Sequence, residues 1–280
     1  MSSSNLNPPL SSTTPSVSGR TFLITGGTQG LGLAVAKQLQ AWGASALVLV
    51  ARRRDKGHAV AAHLQTLQCR VVFVQADLSD ADAVQAVLPQ ALELLGDSTV
   101  ISGLVNAAAI TTRGSLKTET AEGFDKQFAV NVRAPFLLTQ ALAKHLMQRK
   151  KTGSIVNITS CAAHGGAPFV MAYSASKAAL VTMTKNNAAE LAPVGIRVNA
   201  VNMGWCFTDN EDALQLQRDE NWLARADTSV PLGRILRPHD VAVTVAFLLS
   251  QSSAMTTGSI LDLHPEFPHG MLSLQDTDER

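Results

Sequence analysis

The stretch TFLITGGTQGLG, residues 21–32, joins a run of apolar and β-branched residues to a turn rich in glycine, and an amphipathic segment follows. Glycines let the backbone turn tightly and let a diphosphate approach the N-terminus of the next helix. The spacing G-x-x-x-G-x-G differs from the commoner G-x-G-x-x-G, but the mechanics are alike. We therefore predict a strand–turn–helix unit that binds a dinucleotide through Gly26, Thr28, Gln29, Gly30 and Leu31.

Apolar, strand-like runs alternate with amphipathic segments along the rest of the chain. The predicted strands are 21–25, 46–51, 70–75, 101–106, 154–159, 197–202 and 259–263, and the predicted helices include 31–42, 81–95, 121–149 and 172–191. Nearly continuous apolar strands that alternate with helices are typical of a parallel sheet covered on both faces. The sequence predicts an α/β fold, a doubly wound, mostly parallel, seven-stranded sheet in one Rossmann-type domain over residues 20–280.

Composition excludes several classes of partner. The 280 residues carry a formal net charge of only +1, so no basic or acidic surface indicates nucleic acid or an anionic membrane. No apolar run approaches the ~20 residues that a membrane span requires. Three cysteines have neither metal-binding nor disulfide spacing, which predicts no metal centre and a reducing, cytoplasmic location.

Residues 1–19 are rich in serine, threonine and proline and contain no charged side chain. Such a composition predicts a disordered tail. The segment lacks the basic start and apolar run of a secretory signal. An organellar transit peptide is an alternative, but the first arginine is Arg20.

Three further strand ends supply candidate nucleotide contacts. The second strand ends at Ala51, where an acidic residue would accept from a ribose hydroxyl, and Arg52 and Arg53 follow instead. Arginine suits a 2′-phosphate, so NADP (NADPH) is favoured over NAD; alternatively, these arginines begin a solvated helix. After the third strand, Asp77 and Leu78 are expected at the adenine, unless Asp77 is a helix cap. Asn106, Ala107 and Ala108, at the end of the fourth strand, are the remaining candidate contacts to the cofactor.

Tyr173, the sole tyrosine, stands four residues before Lys177 in a predicted helix, so the two side chains share a face. A phenol with a pKa near ~10 is not a base at neutral pH, but a nearby ammonium lowers that pKa. A decrease of about three units takes ~4 kcal/mol. The pair predicts a proton-transfer site; the alternative is a packed aromatic ring beside a solvated lysine.

These motifs together resemble those of the short-chain dehydrogenase/reductases, and the resemblance covers residues 20–263. It implies hydride transfer between a nicotinamide cofactor and a ketone or secondary alcohol. Ser160 lies thirteen residues before Tyr173, the spacing typical of that family, and would bind the carbonyl oxygen. Tyr173 would exchange the proton, Lys177 would hold the ribose, and Asn131 would anchor a water that links Lys177 to solvent.

The resemblance also has departures, chiefly after the sixth strand and at the C-terminal end. Met203-Gly204 replaces the usual Pro-Gly before a lid over the nicotinamide, and losing proline removes a restraint on φ, which predicts a more mobile lid. Asp262-Leu263-His264 replaces the usual Asp-Gly-Gly, and Ala109 replaces a glycine. The expected lid contacts to the cofactor are Met203, Gly204, Cys206 and Thr208.

The substrate wall is expected from the segment 161–171 and from the lid. Its candidates are Ser160, Ala162, His164, Phe169, Met171, Tyr173, Trp205, Phe207 and Trp222, with Asp209 and Glu211 nearby. Aromatic and thioether surface suits an apolar or cyclic carbonyl compound, although several of these residues could pack helices instead. A polyketide-like ketone, a polyol and a steroid-like alcohol all remain open as substrates.

Two other functions are kept as alternatives. One is a regulatory protein that binds the nucleotide without chemistry, and the other is an NAD-dependent polyol dehydrogenase. The two long amphipathic helices, 121–149 and 172–191, carry apolar residues on more than one face. They predict a homo-oligomer, a dimer or a tetramer.

Overall fold

The computed structural model describes residues 16–264. Seven strands form one parallel sheet in the order β3-β2-β1-β4-β5-β6-β7. The strands are β1 Thr21–Thr25, β2 Ala46–Ala51, β3 Arg70–Gln75, β4 Ile101–Asn106, β5 Gly153–Ser160, β6 Ile196–Met203 and β7 Ile260–Leu263. The α-helices are α1 Gly30–Ala41, α2 Arg54–Leu64, α3 Ala81–Leu95, α4 Ala121–Phe128, α5 Ala134–Gln148, α6 Met171–Leu191, α7 Asp209–Gln215, α8 Trp222–Thr228 and α9 Pro238–Leu249. The predicted doubly wound sheet is confirmed.

Helices cover both faces of the sheet, and this burial explains why the strands are rich in apolar residues. Side chains along a strand alternate between faces, so Phe22 and Ile24 enter one hydrophobic core while Leu23 between them enters the other. The first core includes residues of α1 and α9, and the second includes residues of α3 and α5. Every residue of β1 is buried.

The strand order reverses direction at β1, which has β2 on one side and β4 on the other. Thr25, the last residue of β1, pairs with Asn106, and Asn106 pairs in turn with Asn157 of β5. A doubly wound sheet has a crevice beyond the carboxyl ends of its strands at such a reversal. The register therefore brings the ends of β1, β4 and β5 to one edge.

The predicted helix 121–149 is wrong as a single regular helix. Residues Ala129–Arg133 form a π-helical turn between α4 and α5. A π-helical turn adds one residue to the local repeat and re-aims the side chains that follow it. Asn131, a predicted catalytic residue, lies inside this turn.

The predicted disordered tail is too long at its C-terminal end. Val17 is buried in the first core, and its backbone N–H donates to the carbonyl of Trp42 at 3.1 Å. The Gly19 N–H likewise donates to the carbonyl of Gly43. Composition missed these contacts because they join residues far apart in the chain. Residues 1–15 and 265–280 lie outside the described residues.

The sequence predicts no membrane-spanning segment, and the described helices bear on this prediction. None of those within residues 16–264 combines the length and the apolarity that a bilayer crossing requires. Even α6, with 21 residues, carries Lys177 and Lys185.

Gly32 in α1 is the position where the glycine-rich turn tolerates least change. A Cβ there would lie 2.3 Å from the carbonyl oxygen of Gly26 and 2.6 Å from its carbonyl carbon. Both are backbone atoms, so the turn itself would have to move. We expect Gly32→Ala to destabilise the protein by about 3 kcal/mol and to weaken dinucleotide binding, as measured by denaturant unfolding and by calorimetry.

Gly96→Ala is the control, because its φ of 102° is strained for alanine but no atom lies within 4 Å of the added Cβ. It should cost about 1–2 kcal/mol and leave nucleotide binding unchanged. Equal effects of the two substitutions on stability and on nucleotide binding would contradict the special role of close approach at Gly32.

Candidate active site

The glycine-rich turn is held in place by the end of β1. The Thr25 hydroxyl oxygen accepts hydrogen bonds from the N–H groups of Ala107 and Ala108, at 3.0 and 3.1 Å. The Gly26 N–H donates to the carbonyl of Val50. One threonine thus joins the turn after β1 to the segment after β4. Thr25 begins the glycine-rich motif but was not predicted to have a role of its own.

Thr208 lies across from the glycine-rich turn. A Cβ built on Gly30 would be 4.0 Å from Thr208 side-chain carbons, so the lid and the turn approach each other here. Thr208 also caps α7, since its hydroxyl oxygen accepts from the Glu211 N–H. The structure therefore brings together two predicted cofactor contacts that are far apart in sequence. Thr28, in the same turn, is buried.

Gln29 forms hydrogen bonds with two cationic side chains, one just before α2 and one within it. Its side-chain carbonyl oxygen accepts from the Arg53 guanidinium and, at 3.1 Å, from the Lys56 ammonium. Lys56 was missed by sequence reasoning; its spacing of three residues from Arg53 on a helix is the signal that could have found it. The cluster Gln29–Arg53–Lys56 is the cationic group of this edge.

The sequence left open whether Asp77 caps a helix or is free to contact the adenine, and the structure assigns the cap to Asp80. Asp80 caps α3 by accepting from the Asp82 and Ala83 N–H groups, so Asp77 is not the cap. Hydrogen bonds from the Ser79 N–H and hydroxyl hold the pKa of Asp77 below its usual range, and the charge of Arg52 acts in the same direction. Asp77 is exposed and Leu78 is buried, so the Asp77 carboxylate is accessible to a ligand.

Asn106 begins a buried chain of side-chain hydrogen bonds. Its amide donates to the Asn157 oxygen at 2.8 Å, and the Asn157 amide donates to the Thr184 hydroxyl at 2.9 Å. The other polar atom of Asn106, its side-chain oxygen, is buried and accepts no hydrogen bond from the described residues. A buried acceptor without a donor is costly, and a ligand that donates there would remove that cost.

Ser160, Tyr173 and Lys177 lie together where β5 ends and α6 begins. Ser160 ends β5, its hydroxyl acts on the Tyr173 phenol, and its oxygen accepts a hydrogen bond from the Ala162 N–H. The Lys177 ammonium is 5.6 Å from the centre of the Tyr173 ring and donates to the carbonyl of Ile158 at 2.7 Å. Lys177 is only 2% exposed, so the alternative of a solvated lysine is wrong.

Burial dominates the electrostatics of this group, and the expected direction of the Tyr173 shift is wrong for the protein alone. Although the Tyr173 side chain reaches the surface in part, the loss of solvent raises the pKa of its phenol from 10.0 to about 12. The hydrogen bond from Ser160 opposes that increase. Burial also lowers the pKa of Lys177 from 10.5 to about 8. Both groups are therefore pushed toward their neutral forms.

Asn131 is fully buried and is not the surface residue that a mid-helix asparagine usually is. Its side-chain oxygen accepts from the Ile110 N–H, and its amide donates to the Ile110 carbonyl, both at 2.9 Å. The amide also donates to the Ser176 hydroxyl at 3.0 Å, which in turn donates to the Tyr173 carbonyl. Asn131 thus links the segment after β4 to α6, which carries Tyr173 and Lys177.

The candidates for the substrate wall have different surroundings in the structure. Ala162 is buried beside Ser160, whereas Phe169 is 41% exposed with the Arg113 guanidinium over its ring. His164, four residues after Ser160, is turned toward Asn202 and Asp262, with 2.9 Å between its Nε2 and the Asn202 amide nitrogen.

The lid after β6 has a hydrophobic core of its own. Trp222 is buried in it, and the rings of Trp205 and Phe207 lie 5.7 and 6.0 Å from the Trp222 ring. The indole N–H groups are satisfied by acidic residues, Trp205 to Glu211 and Trp222 to Asp212, each at 2.9 Å. Trp222 is therefore a packing residue of the lid, one of the two possibilities that its sequence position allowed.

The lid is also tied to the sheet at its start. Gly204 donates its N–H to the Leu263 carbonyl, and the backbone of Cys206 pairs with that of Leu236. Cys206 is buried and Met203 is partly buried at the end of β6. These contacts replace part of the restraint that a proline would supply.

Known proteins resemble the chain over most of its length. A family model described as enoyl-(acyl carrier protein) reductase matches residues 26–263. The "Probable galactose dehydrogenase GalD" of Rhizobium meliloti (strain 1021) is 36% identical over 90% of this chain and 96% of its own. The 3-oxoacyl-[acyl-carrier-protein] reductase FabG of Staphylococcus aureus (strain Mu50 / ATCC 700699) is 32% identical over 88% of this chain and 96% of its own.

Solved structures agree with these relatives. A 3-oxoacyl (acyl-carrier-protein) reductase from Agrobacterium tumefaciens C58, crystallised with NADP bound, superposes with a TM-score of 0.80 at 26% identity, covering 90% of this chain and 95% of its own. The fold and the site define an oxidoreductase with a dinucleotide-binding sheet. The chain belongs to the short-chain dehydrogenase/reductase family.

The residues at the carboxyl edge fit the nicotinamide dinucleotides that this family uses. Gly32 lies too close to the backbone of Gly26 for any Cβ, and Gly26 has a φ of +68° that favours glycine, so the turn stays compact and accessible to a diphosphate. Asn106 keeps a buried acceptor to which no described residue donates. Gln29, in the glycine-rich turn, holds the cationic side chains of Arg53 and Lys56.

The buried Lys177 predicts a pH-dependent stability that an isosteric substitution removes. Since its pKa falls from 10.5 to about 8 on folding, the unfolded chain holds a proton between these values that the folded protein has released. Wild-type stability therefore rises with pH across this window. We expect wild type to gain about 3 kcal/mol of unfolding free energy relative to Lys177→Met from pH 7 to pH 10.5, measured by urea unfolding.

Lys185→Met is the matched control, because Lys185 is an exposed lysine on the same helix. The difference between wild type and this control should change much less with pH. A constant difference between wild type and Lys177→Met would contradict the burial of a strained ammonium at this position.

Proposed function

We propose that this protein transfers a hydride between NADP(H) and a ketone or secondary alcohol. The single observation that carries the proposal is the buried Lys177 ammonium 5.6 Å from the centre of the Tyr173 ring, at the end of β5 where Ser160 lies. This group lies at the same sheet edge as the glycine-rich turn. A nucleotide-binding regulatory protein would not need a buried lysine, whose neutralising environment is costly to maintain.

Tyr173 acts as the general acid in reduction and as the general base in oxidation. When bound, the nicotinamide supplies or accepts the hydride. A carbonyl that gains hydride becomes an alkoxide, and the neutral phenol of Tyr173 gives it a proton. Ser160 donates to the oxygen on which negative charge develops, and this stabilises the transition state more than the ground state.

Lys177 stabilises the phenolate that remains after Tyr173 gives up its proton. Its ammonium lies 5.6 Å from the phenol ring, in surroundings where burial strengthens the attraction between opposite charges. Its present partner, the Ile158 carbonyl, leaves donors of the ammonium for the ribose. Asn131 positions the site through Ile110 and Ser176, and we infer that it also holds the water that returns the proton from solvent.

Tyr173→Phe should lower kcat by about a hundredfold to ten-thousandfold, because the phenol is the only proton donor in the proposed step. NADPH binding should persist. The assay follows NADPH oxidation with simple ketones, a 3-oxoacyl thioester and a keto sugar, and the reverse reaction with galactose and secondary alcohols.

Phe169→Tyr serves as a control, since it places a phenol on the exposed part of the same wall. If Tyr173→Phe retains wild-type turnover with every active substrate, the catalytic assignment fails. Wild type that binds NADPH but is inactive with all substrates would favour the regulatory alternative.

The relatives favour two substrate classes for that panel. One is described as a galactose dehydrogenase and another as a 3-oxoacyl-[acyl-carrier-protein] reductase. We propose an apolar or cyclic carbonyl compound, because Phe169 is exposed beside Met171 at the entrance to α6. The polyol alternative would be supported if galactose were oxidised with NAD in preference to NADP.

Cofactor choice rests on the cations after β2. We propose that Arg53 and Lys56, joined at Gln29, bind the 2′-phosphate of NADPH, with Arg52 assisting from the side of Asp77. NADP-using relatives often carry a basic residue at the position of Gln29, so a glutamine there could count against NADP. Here the glutamine oxygen orients two cations instead of one.

Arg53→Ala and Lys56→Ala should each raise the KM for NADPH about ten- to a hundredfold while scarcely changing that for NADH, because each removes a charge-assisted contact. Arg52→Ala should have the same direction of effect. Initial rates with NADPH and with NADH give the two KM values for each variant. Arg54→Ala is the matched control, an exposed arginine at the start of the same helix. An unchanged KM for NADPH in the three test variants would exclude the phosphate site.

The homo-oligomer and the cytoplasmic location stay predictions. Phe124 on α4 and Phe136 on α5 are 39% and 47% exposed, and such apolar exposure on the predicted helices supports association of two copies.

A further inference from the structure

Three side chains with metal-binding atoms meet at the carboxyl ends of β5 and β7. They are His164, Asp262 and His264, and their candidate donor atoms all lie within 4.8 Å of one another. We call them the His–Asp–His cluster. The Asp262 Oδ1 is 3.6 Å from the His164 Nε2 and 3.9 Å from the His264 Nε2. None of the three has a role in the hydride transfer proposed above.

The two separations from the Asp262 Oδ1 are close to those of a zinc site. In a tetrahedral centre with bonds near 2.0–2.1 Å, neighbouring donor atoms lie about 3.4 Å apart. The two distances to Asp262 exceed that value by a few tenths of an ångström. The His164 and Asp262 side chains are 42% and 48% exposed and can make the adjustment, while His264 is only 4% exposed and is held in place.

The donor set selects the type of ion. Two imidazoles and one carboxylate suit a divalent transition ion, whereas Ca²⁺ and Mg²⁺ prefer oxygen ligands throughout. Three protein ligands also leave a fourth position for water. An ordinary ion pair would need only one histidine, and the second histidine distinguishes this cluster from a surface contact.

Asn202 supports the cluster from within the sheet. It is fully buried in β6, and its amide donates to the Asp262 Oδ1 at 2.6 Å while lying 2.9 Å from the His164 Nε2. A buried amide that orients a ligating carboxylate is the usual outer support of metal sites. On binding, the His164 lone pair would turn from the amide to the metal, and Asp262 would keep its hydrogen bond because a carboxylate oxygen has further lone pairs.

We propose that His164, Asp262 and His264 bind one Zn²⁺ ion. The ion would join the segment after β5, which begins directly after Ser160, to the end of β7. It would thereby fix one side of the segment that forms the substrate wall. This structural role is independent of the hydride transfer proposed above.

The test uses the full 280-residue chain after treatment with a chelator, in reducing buffer. Isothermal titration with Zn²⁺ should show one ion per chain, and saturating Zn²⁺ should raise Tm because only the folded protein assembles the ligands. Co²⁺ should give the intense visible absorption of a tetrahedral centre. His164→Ala, Asp262→Asn and His264→Ala should each weaken Zn²⁺ binding at least about tenfold.

His63→Ala is the control, an exposed histidine on α2, and it should bind Zn²⁺ as wild type does. Circular dichroism and the metal-free Tm establish that each variant is folded, and Asp262→Asn preserves the size of the side chain if an alanine variant fails. Unchanged Zn²⁺ affinity in the folded ligand variants, or no Zn²⁺ binding by wild type, would overturn the proposal.

Discussion

The structure depends on the parallel register of a sheet that is buried on both faces. Buried backbone N–H and C=O groups must be paired, so the strands cannot slide without leaving several of them without partners. The register that satisfies them aligns Thr25 with Asn106 and Asn106 with Asn157. All of the candidate chemistry is carried on segments that leave this one edge. A one-residue slip of β5 would move Ser160 away from Tyr173 and turn its side chain to the other face.

Burial of polar groups is the second constraint, and it works against stability at the site. Lys177 and Tyr173 both lie on α6. Burial lowers the pKa of Lys177 and raises the pKa of Tyr173. Neutral forms are favoured in the protein alone, so the charge separation needed for proton transfer has to be compensated by what binds there. A site arranged in this way gives its electrostatic stabilisation to the reacting state rather than to the resting protein.

Supporting contacts at this edge come from residues with no chemistry of their own. Thr25 ties two turns together, Asn131 joins the segment after β4 to α6, and Asn202 holds Asp262 beside His164. Each is a short polar side chain whose hydrogen bonds cross between strands or helices. Such residues fix the relative positions of the segments that carry the candidate site residues.

The sequence by itself determined the sheet, the glycine-rich turn and the pairing of Tyr173 with Lys177, because periodicity and short spacings are local properties of the chain. Four predicted strands have the bounds found in the structure, among them Thr21–Thr25 and Arg70–Gln75. Only the tertiary structure decided the direction of the Tyr173 pKa shift, the burial of Asn131 in a π-helical turn and the meeting of His164 with Asp262. The physical reason is that desolvation and long-range contacts depend on which distant residues enclose a group, and no local pattern encodes that.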